Sequence, residues 1–149
     1  MKEFKKLIVI PMVLILLTAC STSSPFKSLT AGACSGEQKQ LVDDHISSQI
    51  SAISKQDWPL AYSFAAKSFQ DSIDLTSFEV IITDSYSFLI DNQGITFGGC
   101  EIKEDKIFQE ITVNSSNGKI DLSYRLSTVD EKLGVEAANL AEQSTALTT

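Results

Sequence analysis

Histidine, tryptophan, proline and cysteine are scarce: one His, one Trp, three Pro and three Cys in 149 residues. One His and three scattered Cys argue against a zinc cluster. Basic residues are also few, 12 Lys and Arg against 19 Asp and Glu. The resulting net charge of -7 argues against a nucleic-acid partner, because phosphate binding needs a basic surface. There is no phosphate-cradling Gly-rich loop, no Gly-x-Ser-x-Gly elbow and no His-Glu-x-x-His. No cofactor is implied. The chain does have enough apolar mass for one modest core: 43% hydrophobic residues, with eight Phe and three Tyr. That is one domain's worth of sequence.

The first nineteen residues read as an export signal rather than as part of a fold. Lys2, Lys5 and Lys6 precede an apolar run from Leu7 to Ala19, too short for a permanent membrane span. The run ends Leu17-Thr18-Ala19-Cys20, which resembles a bacterial lipobox. That resemblance implies that Cys20 receives a diacylglyceryl group and that the chain is cut just before it. Two or three acyl chains hold a protein firmly where one does not. Removing residues 1–19 takes away three Lys and one Glu, so the remainder is more acidic still and should not itself lie on anionic lipid. Residues 20–34, rich in Ser and Thr with Pro25 and Gly32, are expected to be the lipidated Cys and a flexible tether. The expected address is the cell membrane or an outer membrane, facing away from the cytoplasm. Ser21 permits outer-membrane sorting in a cell that has such a membrane.

Lipidation leaves Cys34 and Cys100. In an oxidising compartment an even pair reads as a disulfide, tying the start of the first helix to the middle of the sheet. Two inert free thiols, or a nucleophilic Cys100 activated by His45, are the alternatives.

Residues 35–141 are expected to form one domain. Ser35 and Gln38 have capping-box spacing, and Val42, Ile46, Ile50 and Ile53 recur at helical period. These predict a helix from Glu37 to Lys55 with Lys39, Asp43, Ser47 and Ser54 outside. Asp57 caps a second helix with Pro59 in its first turn and Leu60, Ala61 and Phe64 as its apolar side. Thr76 and Glu79 suggest a third, running to Ser85, with Leu75 and Val80 as a hydrophobic staple. After Gly94 the period becomes two. A strand begins at Ile95 and breaks at Gly98-Gly99, and a second runs from Lys106 to Asn114. Ser116-Asn117-Gly118 makes a turn with φ > 0 at Asn and Gly. A third strand, Lys119 to Thr128, points Ile120, Leu122, Tyr124 and Leu126 inward and Asp121, Ser123, Arg125 and Ser127 outward. A last strand reaches Leu140, and 142–149 reads as a disordered tail. The order is α+β: N-terminal helices packed on a curved antiparallel sheet, a roll with a cone-shaped cavity.

Asp57-x-x-x-Ala61-Tyr62-x-Phe64-Ala65, followed by Phe78 and Tyr86, resembles the bacterial family called domain of unknown function 4864. That family is placed near the nuclear-transport-factor-two-like, or cystatin-like, roll. The resemblance covers roughly Leu41 to Leu140, and its motifs are packing residues. The last strand departs, with Leu133-Gly134-Val135 where such domains often carry a Trp. The resemblance implies a fold and no catalytic residue.

Within a cone the only groups suited to acid–base work are His45, Tyr62, Asp84, Tyr86 and Tyr124. For His45 the plainer expectation is a half-buried ring bonded to a carboxylate, and for the tyrosines a core position with the hydroxyl at the rim. Asp43, Asp44 and His45 are neighbours on a helix and diverge by about 100°, so no metal site is expected there. Glu101, Lys103, Glu104, Asp105 and Lys106 look like a solvated hairpin corner without EF-hand spacing. The Asn114-Ser115-Ser116 sequon is incidental beside a bacterial lipobox. The first expectation is therefore a lipid-anchored, non-catalytic binding or accessory domain. Its partner would be an envelope protein or a small apolar ligand, with a homodimer through the sheet as a further arrangement. The alternative is a small hydrolase or isomerase using the cone. The sequence sets one test: protein extracted from its own membranes should have an intact mass that starts at Cys20 and includes lipid. A Cys20→Ala variant should carry none, and a lipidated variant would disprove the anchor.

Overall fold

The computed structural model describes residues 23–141. The expected leader at 1–19, the lipidation site Cys20 and the tail at 142–149 lie outside the described residues. No described helix is long and apolar enough to cross a membrane. The element order is β1 (Gly32–Ala33), α1 (Gly36–Ser54), α2 (Trp58–Ser63), α3 (Lys67–Ser72), α4 (Leu75–Ser85), then β2 (Gly94–Lys103), β3 (Lys106–Ser115), β4 (Gly118–Val129) and β5 (Lys132–Leu140). All five strands form one antiparallel sheet in the order β1-β2-β3-β4-β5. This is the expected α+β arrangement, helices before sheet.

Helix α1 begins as its sequence dictates. The Ser35 hydroxyl accepts from the Gln38 N–H, and the Gln38 side chain accepts from the Ser35 N–H. Val42, Ile46, Ile50 and Ile53 are buried against Ile107, Ile111, Leu122 and Leu126 of the sheet in one core. Fully burying one such side chain contributes roughly 1.5–3 kcal/mol. The i,i+4 pairs Lys39–Asp43 and Lys67–Asp71 add only about 0.3–0.5 kcal/mol each. Burial therefore sets the orientation of α1. Its exposed face differs from the expected one: Gln40, Leu41, Asp44 and Ser48 face solvent, whereas Lys39, Asp43, Ser47 and Ser54 are half-buried. Lys39 Nζ sits 5.5 Å from the centre of the Phe97 ring, so its stem lies over the sheet rather than away from it.

The later helices depart from expectation in instructive ways. Asp57 does cap α2 through the Leu60 N–H, but Leu60 is 48% exposed and only Ala61 of this helix is buried. Helix α4 is capped by Asp74, whose carboxylate accepts from the Ser77 N–H. It therefore starts one residue before Thr76, and Val80 is exposed rather than stapled to Leu75. The six-residue α3 and a short 3-10 turn at Ser87–Leu89 were not expected.

The register shifts between Phe97 and Cys100, the bulge foreseen at Gly98-Gly99. It frees the Gly98 carbonyl, which accepts from Gln109 Nε2. Gln109 Oε1 is buried without a partner among the described residues. The β3–β4 turn is Ser116-Asn117, with φ > 0 at Gly118 only. The other two hairpins turn through Glu104-Asp105 and Asp130-Glu131, each with φ > 0 at both residues, the geometry of a two-residue I′ turn. Ser127 keeps its outward place but is buried, beside Glu136, the extra residue at the β4–β5 register shift.

Order begins before residue 35. Phe26 enters the core, Gln38 Nε2 donates to the Pro25 carbonyl, and β1 pairs with β2. Cys34 is disulfide-bonded to Cys100 across 66 residues. The bond ties the N-terminal segment to β2 beside the sheet edge rather than to its middle, and closing such a loop stabilises by about 4 kcal/mol on the chain-entropy account. The core cluster lies wholly between Phe26 and Val135.

At the opposite edge, the Val135 N–H donates to the Phe64 carbonyl and the Ala66 N–H donates to the Val135 carbonyl. The two backbones meet so closely that a Cβ on Gly134 would lie 2.5 Å from Ala66 Cα. Gly134→Ala should therefore cost about 3 kcal/mol in denaturant unfolding. Gly36→Ala, where a Cβ meets open space, should be neutral or slightly stabilising. Equal effects would refute the close packing.

Candidate functional site

Packing α1, α3 and α4 against β4 and β5 leaves a cavity of about 220 Å³, partly open to solvent. Ile53, Phe69, Phe78, Ile82, Leu89 and Val135 are among the apolar residues that line it. Tyr124 reaches it from an inward position of β4, Tyr86 from the end of α4, and Gln49 from α1.

These polar groups differ in how they are used. The Tyr86 hydroxyl donates to the Ala138 carbonyl at 2.7 Å, closing the end of α4 onto β5. Gln49 is 4% exposed, and its Nε2 donates to the Ala61 carbonyl. Tyr124 is 1% exposed, and its hydroxyl makes no hydrogen bond among the described residues. Burial, with a smaller contribution from Tyr86, pushes the Tyr124 phenol well above the ordinary tyrosine range. It is therefore a neutral donor near neutral pH.

Glu136 also borders the cavity, but its carboxylate is committed elsewhere. It pairs with Lys106 Nζ at 2.6 Å and Arg125 Nε at 3.1 Å. Arg125 alternates with Tyr124, so this pairing lies on the sheet face away from the helices. Burial alone would raise the Glu136 carboxyl. Hydrogen bonds from Lys106 and Ser127, with the charges of Lys106 and Arg125, hold it below the ordinary glutamate value instead.

The residues singled out from sequence fall into separate places. Tyr86 and Tyr124 line the cavity, while Tyr62 and His45 do not. The Tyr62 hydroxyl donates to the Ile73 carbonyl at 2.6 Å, fastening α2 to the end of α3, and its ring leans on Phe78. Asp84 is exposed on α4. His45 meets a backbone carbonyl rather than the expected carboxylate: Nε2 lies 3.0 Å from the Phe64 oxygen, and the ring stands edge-on to Phe64. Cys100 is bonded to Cys34, so it offers no thiolate for His45 to activate. Among the described residues no three His, Cys, Asp or Glu side chains converge as metal ligands. Glu101 instead pairs with Lys103 at the hairpin corner. Gln49 was missed, although a Gln flanked by Ile46, Ile50 and Ile53 in the apolar stripe marks it. The Glu136 network had no local signal.

The molecule is thus an α+β domain whose helices cover one face of an antiparallel sheet and enclose a small apolar cavity. The chain belongs to the family described as domain of unknown function (DUF4864), whose match spans residues 35–146. No curated protein matches the chain.

Burial lowers the His45 pKa from its ordinary 6.5, against the opposing effect of the Phe64 carbonyl. Below pH 6.5 the unfolded chain takes up a proton that the folded state binds more weakly, so stability is lost as pH falls. Unfolding free energy should drop between pH 7 and pH 5. His45→Gln, which keeps a donor for Phe64, should flatten that drop, and an unchanged slope would show that His45 is not its source.

Proposed function

We propose that this chain is an exported lipoprotein, anchored through lipid on Cys20, whose folded domain is a non-catalytic binding module for a small apolar molecule. The lipobox-like Leu17-Thr18-Ala19-Cys20 supports the anchor. The Cys34–Cys100 bond fits an oxidising compartment outside the cytoplasm. The observation that carries the binding role is the apolar cavity of about 220 Å³. Concave, mainly apolar sites with few polar groups are where small molecules bind. The outer sheet face presents Glu110, Thr112, Asp121, Ser123 and Arg125. Its charge makes it a less suitable surface for a homodimer or an envelope protein.

A hydrolase or isomerase working in the same cavity is the second reading, and the unpartnered Tyr124 hydroxyl favours it. It would need that phenol or Tyr86 to exchange a proton with substrate. A pH-dependent turnover lost in Tyr124→Phe or Tyr86→Phe would replace the binding role with catalysis.

Binding is tested directly on the chain from residue 20 onward, carrying Cys20→Ser and therefore no lipid. It contains the whole core described above. The neutral fluorophore 1-naphthylamine should bind at one site with a rise in fluorescence. Ala138→Trp, which fills the cavity, should abolish that signal while the protein still unfolds cooperatively. Absence of binding by the parent chain would overturn the proposal.

A further inference from the structure

Two polar atoms in the cavity are left unused by the fold. The Tyr124 hydroxyl is a donor with no acceptor among the described residues, on a side chain that is 1% exposed. Gln49 spends an amide hydrogen on Ala61, while its Oε1 has no donor among the described residues. Neither is among the fully buried, unpaired atoms, of which Gln109 Oε1 is the one among the described residues, so both keep access to the cavity and can meet a polar group of a molecule inside it. Neither atom closes a turn, caps a helix or bridges two elements.

We infer that the cavity takes a neutral, mainly apolar molecule that places about eight heavy atoms inside it, the rest lying in its open mouth, and that bears one carbonyl or hydroxyl oxygen, with Tyr124 donating to that oxygen. This rests on the binding role proposed above and specifies its ligand class. Size comes from volume. About 220 Å³ exceeds the roughly 150 Å³ apolar cavity that holds benzene, and at about 30 Å³ per water-sized group it admits seven or eight of them. Polarity comes from Tyr124, because a pure hydrocarbon would seal its hydroxyl from water without replacing the lost bond. Charge comes from the lining: among the described residues no Lys, Arg or His borders the cavity, and the one ionised neighbour is the carboxylate of Glu136. An anion there would be desolvated without a counter-charge. A cation would meet a carboxylate already held by Lys106 and Arg125.

The test uses displacement of 1-naphthylamine from the Cys20→Ser chain by acetophenone, toluene and benzoate at pH 7.5. Acetophenone offers a carbonyl, toluene offers none, and benzoate is ionised. Tyr124→Phe keeps the ring and the packing. It should weaken acetophenone about tenfold, leave toluene unchanged or slightly tighter, and leave 1-naphthylamine bound. Benzoate should compete at least tenfold more weakly than acetophenone. If Tyr124→Phe shifts acetophenone and toluene equally, or shifts neither, the hydroxyl does not read the ligand and the inference fails while the binding role stands. Benzoate competing as well as acetophenone would overturn the requirement for neutrality. If 1-naphthylamine does not bind the parent chain, the binding role itself falls and this inference with it.

Discussion

The meeting of the Phe64–Ala66 backbone with Val135 holds the helical layer to the far edge of the sheet. Two main-chain hydrogen bonds cross there, and the Phe64 carbonyl also lies against His45 Nε2. Gly134 is what lets the two backbones approach. Much else follows from this junction. It covers part of the open edge of β5, which would otherwise expose unpaired backbone groups. It turns the chain from α2 into α3, where Gln70 Nε2 donates to the Tyr62 and Ala65 carbonyls. Its residues Ala65 and Val135 also border the cavity. The disulfide closes the opposite side of the sheet, where β1 is only two residues long and too short to hold the N-terminal segment by pairing alone.

Much of this architecture was legible because burial imposes a period. Val42, Ile46, Ile50 and Ile53 can share a neighbour only on a helix, and Leu122, Tyr124 and Leu126 only on a strand. The capping box at Ser35 and Gln38 fixed the start of α1 because both of its hydrogen bonds are local. What was not legible depends on distant partners. Helix α3 has no buried residue and no side-chain cap, so nothing in its own sequence announces it. Asp74 rather than Thr76 caps α4, its carboxylate accepting from the Ser77 N–H, and both residues offer an oxygen at workable spacing. Turns at Glu104-Asp105 and Asp130-Glu131 adopt φ > 0 without glycine, since strands already in register leave two residues to connect them.

The cavity was readable in the same partial way. Tyr86 and Tyr124 could be suspected because they fall on inward positions. Tyr62 and His45 looked equivalent on that criterion, yet each spends its polar atom on a carbonyl that fastens helices together. Sequence pattern finds which side chains turn inward. It does not distinguish a hydroxyl used to close a helix junction from one left facing empty space, because the acceptor comes from a segment many residues away. The Glu136 network is the extreme example. The carboxylate reaches Lys106 and Arg125 only because an extra residue in β5 shifts the register beside Leu126.

Tyr124 brings these threads together. Its position is inward on a central stretch of β4, where a phenylalanine would satisfy the same alternation and fill the same space. The phenol adds one oxygen, which borders the cavity and is not among the fully buried unpaired atoms. In Tyr62 and Tyr86 the hydroxyl bonds the Ile73 and Ala138 carbonyls; in Tyr124 it bonds no described group. The burial that keeps this phenol protonated also keeps it a donor, and the apolar wall around it makes a single hydrogen bond count for more than it would in water. On the binding role proposed above, a ligand oxygen bonded to this hydroxyl would couple the fold to its occupant. Ligand binding should then raise stability in proportion to how well that one bond is made.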